Sequence, residues 1–219
     1  MIIPTLNEQG HVRQAIQSAL TAGADEVVVA DGGSTDDTVG CAQELATTVV
    51  VTAPGRAVQQ NAAAFMATGD VFVFLHADCC LAPGCLVEIR ERCRQSPGVI
   101  AGCFRQTIDQ PGWRYRVAEA GNGWRVRLLK WAYGDQAIFV RAADFLSFGG
   151  FPEISFLEDL YLMKTLKRRG RVVLLNSRVT VSARRWQRCG LIRQTLRNWA
   201  IIAAAHAGAS PDWLKQFYR

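Results

Sequence analysis

Acidic and polar residues gather in this sequence just behind its short apolar runs. Pro4-Thr5-Leu6-Asn7-Glu8 follows the first run, Asp31-Gly32-Gly33-Ser34-Thr35-Asp36 the second, and His76-Ala77-Asp78 the fourth. Open α/β sheets bind ligands outside the carboxyl ends of their strands, so the three clusters are expected to converge on one crevice. Each cluster alone also reads as turn chemistry followed by a helix cap. Arg56 stands behind Pro54-Gly55 at a helix entry, where backbone N–H groups and a guanidinium can both meet phosphate; a solvated arginine is the alternative. Asp78 offers the hard carboxylate oxygen that a divalent cation takes.

The elements that must position these groups follow from the apolar pattern. Short β-branched runs alternate with helical periodicity in the first half, which predicts βαβ units and a mostly parallel sheet. Strands are expected at Ile2-Ile3, 26–30, 48–52 and 71–75, with helices over 8–22, up to Leu45, over 58–67 and from Pro83 to Arg94. Val12, Ala15, Ile16, Ala19 and Leu20 are predicted to share one buried face. In the second half, strands are expected over 99–105, 137–141 and 171–175. Helices are expected over 113–133, 157–169 and 191–207, with a short tail from Pro211. No linker-like stretch divides the chain, so 1–219 is read as one domain.

Composition narrows the classes. The 219 residues are 49% hydrophobic and 20% charged, which excludes general disorder. The net charge of +6 is unevenly spread. Residues 1–110 carry 6 Lys/Arg against 12 Asp/Glu (−6), and residues 111–219 carry 19 against 7 (+12). An acidic half beside a basic one suits a metal-and-nucleotide site next to a surface that meets anions. No nucleic-acid signature accompanies the basic half. The seven cysteines lack paired metal-ligand spacing and read as reduced thiols in or near the core. Together with the lack of a signal-peptide pattern at Met1-Ile2-Ile3-Pro4, this gives a cytoplasmic expectation. The longest apolar run, Trp199 to Ala205, is far short of the roughly 20 residues that span a bilayer.

Pro4-Thr5-Leu6-Asn7-Glu8, the run from Val28 through Asp31-Gly32-Gly33-Ser34-Thr35-Asp36-Asp37 to Thr38, and Phe156-Leu157-Glu158-Asp159-Leu160 resemble the family-2 glycosyltransferases of the GT-A fold. Gly55-Arg56, Gln59, Asn61-Ala62 and Leu75-His76-Ala77-Asp78 are similar to a compact branch of that family, the rSAM/selenodomain-associated transferase 2 proteins. The resemblance runs nearly end to end, through Arg184-Arg185-Trp186. It implies an α/β protein with a mostly parallel central sheet flanked by helices, a smaller mixed acceptor-side region and a carboxyl-terminal amphipathic helix. Residues 1–110 would form the nucleotide-sugar half and residues 111–219 the acceptor and catalytic half.

The activity implied is inverting transfer of a sugar from a nucleotide-sugar donor to an acceptor hydroxyl, assisted by Mn2+ or Mg2+. Pro4, Thr5, Asn7, Glu8, Asp31, Gly32, Arg56, Gln59, Asn61, His76, Ala77 and Asp78 would line the donor site, with Asp78 holding the metal. The family's usual Asp-x-Asp has His76 in place of its first carboxylate, and whether His76 meets metal, phosphate or only protein stays open. Asp159 would be the base that takes the acceptor's proton, with Glu158 beside it; an acidic first turn favoured by the helix dipole is the other reading. Gly134, Asp135 and Gln136 would face the acceptor, and Arg184, Arg185 and Trp186 the donor phosphates. The whole reading expects the carboxylates of Asp31, Asp78 and Asp159 to line one cavity.

The stretch from Trp113 to Trp131 mixes aromatic and basic residues as an interfacial helix does. It suits a lipid-linked or anionic acceptor at the inner face of a membrane, or else core packing on one side and solvated charge on the other. A dinucleotide-dependent oxidoreductase is disfavoured because no Gly-x-Gly-x-x-Gly turn follows the first strand. Two alternatives remain: a sugar nucleotidyltransferase, whose usual loop after the first strand is Gly-rich and basic where this one is acidic, and a catalytically idle nucleotide-binding module.

Overall fold

The computed structural model describes residues 1–218, apart from the side chains of residues 185, 188, 189, 191 and 192. Its amino-terminal strands are β1 (Ile2–Thr5), β2 (Val28–Asp31), β3 (Thr48–Val51) and β4 (Val71–Phe74), paired in parallel as β3-β2-β1-β4. Helices α1 (Val12–Thr21), α2 (Thr38–Gln43) and α3 (Arg56–Met66) make the crossovers. Successive side chains on a strand point to opposite faces, so each strand feeds two cores. Ile3, Val29, Val73 and Leu75 pack with Val12, Ala15, Ile16 and Ala19 of α1. Ile2, Val28, Phe72 and Phe74 pack on the other face with Ala57, Ala63 and Ala64 of α3. Both faces are covered, which is why the runs are apolar throughout instead of alternating.

The rest of the chain extends this sheet. β5 (Cys79–Leu81), α4 (Cys85–Gln95), β6 (Val99–Ile108) and α5 (Trp113–Leu129) come first. A 3-10 turn (Gly134–Gln136), β7 (Ile138–Arg141), α6 (Ala142–Ser147), α7 (Glu158–Arg169) and β8 (Arg171–Val181) follow. α8 (Arg184–Cys189), α9 (Leu191–His206) and α10 (Pro211–Lys215) complete it. The order across the eight-stranded sheet is β3-β2-β1-β4-β7-β6-β8-β5. β7 runs antiparallel to both β4 and β6, and β5 antiparallel to β8, while β6 and β8 are parallel. The sheet is therefore mixed but mostly parallel, with helices on both faces.

Strand order reverses between β1 and β4, because the chain winds outward through β2 and β3 before returning. The carboxyl ends at such a reversal form the crevice of an open α/β sheet. β7 enters this crevice from the opposite direction, with Ile138 against Phe74, and so sets the 134–136 turn beside His76. β8 ends with Val181 against Cys79, which carries residues 182–184 to Asp78.

Several boundaries differ from expectation for local reasons. α1 starts four residues after Glu8, because the Glu8 carbonyl already accepts from the N–H groups of His11 and Val12 in a turn. Leu20 lies outside the buried face of α1 and is 44% exposed. β8 continues six residues past Leu175, through register shifts against β6. The short elements β5, α6, α8 and α10 are not among the expected ones. Cys79, Cys85 and Cys103 are buried free thiols, and Cys41, Cys80 and Cys93 are half-buried ones; Cys189 lies outside the described residues.

Candidate active site

The ends of β1 and β2 are stitched together before any ligand arrives. Asp31 is 1% exposed, and its carboxylate accepts four hydrogen bonds. Thr5 Oγ1 (3.0 Å) and Ser34 Oγ (2.5 Å) reach Oδ1, while the N–H groups of Gly33 (2.9 Å) and Ser34 (2.7 Å) reach Oδ2. Asn7, in the left-handed region at φ 54°, accepts from the Thr35 N–H at 2.8 Å, and its own N–H donates to Ser34 Oγ. Gln59 of α3 donates to the carbonyls of Thr5 (2.7 Å) and Ala30 (2.9 Å), tying off both strands. Gly32 leaves room for it, since a methyl there would stand 3.1 Å from the Gln59 amide.

Beyond this floor opens a cavity of about 840 Å³. Pro4, Thr5, Glu8, Arg56, Gln59, His76, Ala77, Asp78, Gly134, Asp135, Glu158, Asp159, Arg184 and Trp186 all line it. Asn7, Asp31, Gly32, Asn61 and Gln136 do not. Two of the three expected carboxylates thus share the cavity, and the third serves as the tie between strands. The side chain of Arg185 lies outside the described residues.

Asn61 has a mechanical role in this structure. It is buried on α3, where its amide donates to the Phe151 carbonyl (2.9 Å) and accepts from the Phe151 N–H (2.8 Å). Phe151 leads into the 153–157 segment that walls the cavity. Asn61→Ala strands two buried backbone groups and is expected to cost about 2–3 kcal/mol. Urea unfolding with an unchanged slope is the check; wild-type stability would refute the assignment.

Asp78 and Arg184 meet across the cavity. Arg184 Nη2 stands 3.1 Å from Asp78 Oδ2 and 3.0 Å from Glu8 Oε1. Burial alone would raise the Asp78 carboxyl, but the charges of His76 and Arg184 outweigh it and hold it below the usual aspartate value. The carboxylate therefore stays ionised and faces the open space. Among the described residues no group of three or more His, Cys, Asp or Glu side chains gathers to hold a metal ion.

Asp159 sits in the first turn of α7, 7% exposed. Its Oδ2 accepts from the Gly134 N–H at 2.8 Å, and its buried Oδ1 has no hydrogen-bond partner. Burial, then the neighbouring Glu158 charge, push its pKa up to about 7, against the pull of Arg56 and the Gly134 N–H. Glu158 points elsewhere, with Oε1 3.2 Å from Arg56 Nη1. A methyl on Gly134 would overlap His76 Nε2 and press on Asp159 Oδ2 at 2.9 Å, so only glycine lets the imidazole and the carboxylate close on one backbone point. Leu157 and Ala137, which flank these groups in sequence, both hold left-handed backbone (φ 66° and 46°). Such conformations cost of order 1–3 kcal/mol in residues with side chains and cluster where geometry is over-determined.

The sequence matches the family described as glycosyl transferase family 2 over residues 1–153. The chain belongs to that family. Comparison with curated proteins gives no match. Among solved structures, this glycosyltransferase superposes on Staphylococcus aureus TarS (residues 1–349) with a TM-score of 0.67 at 15% identity, covering 99% of this chain and 68% of that one. A mannosyltransferase from Pyrobaculum calidifontis, solved with GDP-Man and Mn2+, gives 0.69 at 20% identity over 99% and 66%. The glucosyl-3-phosphoglycerate synthase of Mycobacterium tuberculosis, solved with Mn2+, UDP and glucosyl-3-phosphoglycerate, gives 0.57 at 20% over 81% and 68%. These likenesses establish the GT-A fold. The present glycosyltransferase spans about two thirds of these chains and 41% of the longer TarS structure.

Sequence reasoning overlooked part of the transferase's cavity wall. Tyr133, Gln194, Asn198, Ile202, Lys215 and Tyr218 also line it. The Tyr133 hydroxyl is buried without a hydrogen-bond partner, and its ring lies 4.0 Å from the Arg125 guanidinium. Gln194 and Asn198, four apart on α9 and joined at 3.0 Å, were a legible signal: a polar pair on the otherwise apolar side of an amphipathic helix.

Proposed function

We propose that this chain is an inverting glycosyltransferase that moves a sugar from a nucleoside-diphosphate sugar to an acceptor hydroxyl, with Asp159 as the base. The observation that carries the reading is Asp159 itself. It is buried beside the cavity, anchored through one oxygen, without a hydrogen-bond partner at the other, and has a pKa near the pH at which a base is most effective. In the transfer, Asp159 Oδ1 takes the acceptor's proton as the hydroxyl oxygen bonds to the anomeric carbon. The bond from that carbon to the diphosphate oxygen breaks, and the nucleoside diphosphate leaves with the electron pair. One displacement on the face opposite the leaving group inverts the anomeric centre. The wall of Tyr133, Gln194 and Asn198 offers the acceptor hydrogen bonds on the Asp159 side.

Residues 1–110 would serve the donor and residues 111–219 the acceptor and the base. Arg56 and Arg184 bring positive charge to the side where the diphosphate develops negative charge, and Glu158 orients Arg56. Asp78 fits a divalent cation: Mg2+-like ions take one or two carboxylates and fill their other positions with substrate phosphate and water, so the lack of a three-residue cluster does not argue against one. Asp78, with His76 beside it, would hold the Mn2+ or Mg2+, which neutralises charge on the departing diphosphate. The Mn2+, UDP and GDP-mannose in the solved relatives support this reading.

A panel of nucleotide sugars, each with Mn2+ or Mg2+, tests it through metal-dependent release of the nucleoside diphosphate. Release from one donor, with product of opposite anomeric configuration by proton NMR, is expected. Retained configuration would overturn the inverting mechanism. Failure of every donor to turn over, with no thermal shift from any nucleoside diphosphate, would sink the reading.

A further inference from the structure

Helix α5 packs Tyr115, Ala118 and Val126 against the core yet leaves four large apolar residues on its outer side. Trp113, Val117, Trp124 and Leu128 are 71%, 61%, 59% and 70% exposed. At 100° per residue these four positions fall within about 60° of arc, a single stripe along the helix. The inward face carries Asn122 and Arg125 instead of a full apolar set. Asn122 donates to Gln106 Oε1 (2.5 Å), and Gln106 donates to Asp135 Oδ2 (2.7 Å). Arg125 donates to Gln136 Oε1 (2.7 Å) and to the Trp131 carbonyl (3.0 Å). The buried side of α5 thus grips the 134–136 turn that holds Asp159.

Charge says what the exposed side meets. The one acid on the helix, Glu119, is turned in, accepting from the Ile108 N–H at 2.6 Å and pairing with Arg116 at 2.9 Å. What remains outside is positive. Arg114 lies 5.6 Å from the Trp113 ring and Arg127 5.9 Å from the Trp124 ring, so each exposed tryptophan carries an arginine at its flank. Aromatic rings bordered by guanidiniums, with no exposed carboxylate, match the boundary between acyl chains and anionic headgroups. No helix of the described residues is long and apolar enough to cross a membrane.

We propose that the outer face of α5 docks this protein on an anionic bilayer surface, with Trp113, Val117, Trp124 and Leu128 entering the interface and Arg114 and Arg127 meeting lipid phosphates. Docking through this helix holds the 134–136 turn next to the lipid, so an acceptor carried in the membrane reaches Asp159 from the α5 side. The docking itself stands on the surface and is independent of which sugar is moved.

The test is co-sedimentation of the full chain, without nucleotide, with phosphatidylcholine vesicles and with vesicles containing about one third phosphatidylglycerol. Binding to the anionic vesicles alone is expected, weakened by high salt. It should fall roughly tenfold or more in Trp113→Ser/Trp124→Ser and in Arg114→Glu/Arg127→Glu, with melting temperatures unchanged. Equal sedimentation of wild type and variants, or no binding to either vesicle, overturns the proposal. So does light scattering that shows a dimer for the wild type and a monomer for the tryptophan variant, since the stripe would then face a second copy. Donor turnover without vesicles is read separately, so failure of docking leaves the transferase reading standing.

Discussion

Asp159→Asn is expected to lower sugar transfer about 10²–10⁴-fold while making the folded chain more stable above neutral pH. The two effects share one cause. Burial, the Glu158 charge and the site's other contacts move the carboxyl from the usual 3.8 to about 7. Between those values the folded chain holds a proton that the unfolded chain has released. Stability therefore falls as pH rises through that window, and the full loss is present above about pH 7. A displacement of this size corresponds to a few kcal/mol at most. Asparagine removes the ionisation yet keeps an oxygen for the Gly134 N–H. The variant should melt several degrees higher than wild type at pH 8 and at nearly the same temperature near pH 3. Wild-type kcat/KM should fall below pH 7 as the base becomes protonated. A variant that still transfers sugar, or a melting difference independent of pH, would remove Asp159 from the base's role.

Asp78→Ala is the second large effect. The ionised carboxylate is held by Arg184 at 3.1 Å and faces the cavity, and a divalent ion held there would stabilise several kcal/mol of developing charge on a leaving phosphate. Turnover should drop roughly 10²–10⁴-fold. Nucleoside diphosphate binding, read by titration calorimetry, should lose its enhancement by Mn2+ while a metal-independent remainder persists. The fold should tolerate the change, because Arg184 keeps Glu8 as a partner at 3.0 Å. Undiminished metal enhancement in the variant would place the cation elsewhere. Asn61→Ala makes the contrast: it should destabilise the chain without altering metal dependence, because Asn61 reaches Phe151 and not the cavity.

The parallel half of the fold was legible because its strands are buried on both faces and its helices repeat every three to four residues. In the second half β7 and the first parts of β6 and β8 were legible, but β5 and the end of β8 were not. β5 has three residues, too few to show a period, and β8 crosses register shifts that break the alternation. At the site, the clusters behind the first and fourth strands bring Thr5 and Asp78 to one cavity. Asp31 and Asn61, expected in the donor site, do not line the cavity, and for a common reason. A polar residue at a strand or helix end looks the same in sequence whether it faces a ligand or satisfies buried backbone, and only the partners distinguish the cases. Asp31 accepts four hydrogen bonds from Thr5, Gly33 and Ser34, so its side chain is already spent within the loop. Tyr133 went unnoticed because a tyrosine between Ala132 and Gly134 carries no motif.

The place of β8 between β6 and β5 has a consequence for how the molecule comes into being on the ribosome. The first four strands can pair as soon as residues 1–75 have emerged, since each needs only near neighbours in the chain. β5 waits a hundred residues for Val179, Thr180 and Val181 to be made before it gains its neighbour, and the wall bearing Lys215 and Tyr218 comes later still. Pairings so remote in sequence form slowly. During translation there is thus an interval in which a sheet stands with its crevice unfinished, and a nascent chain stalled between residues 79 and 183 holds Glu8 and Asp78 without the Arg184 that pairs them.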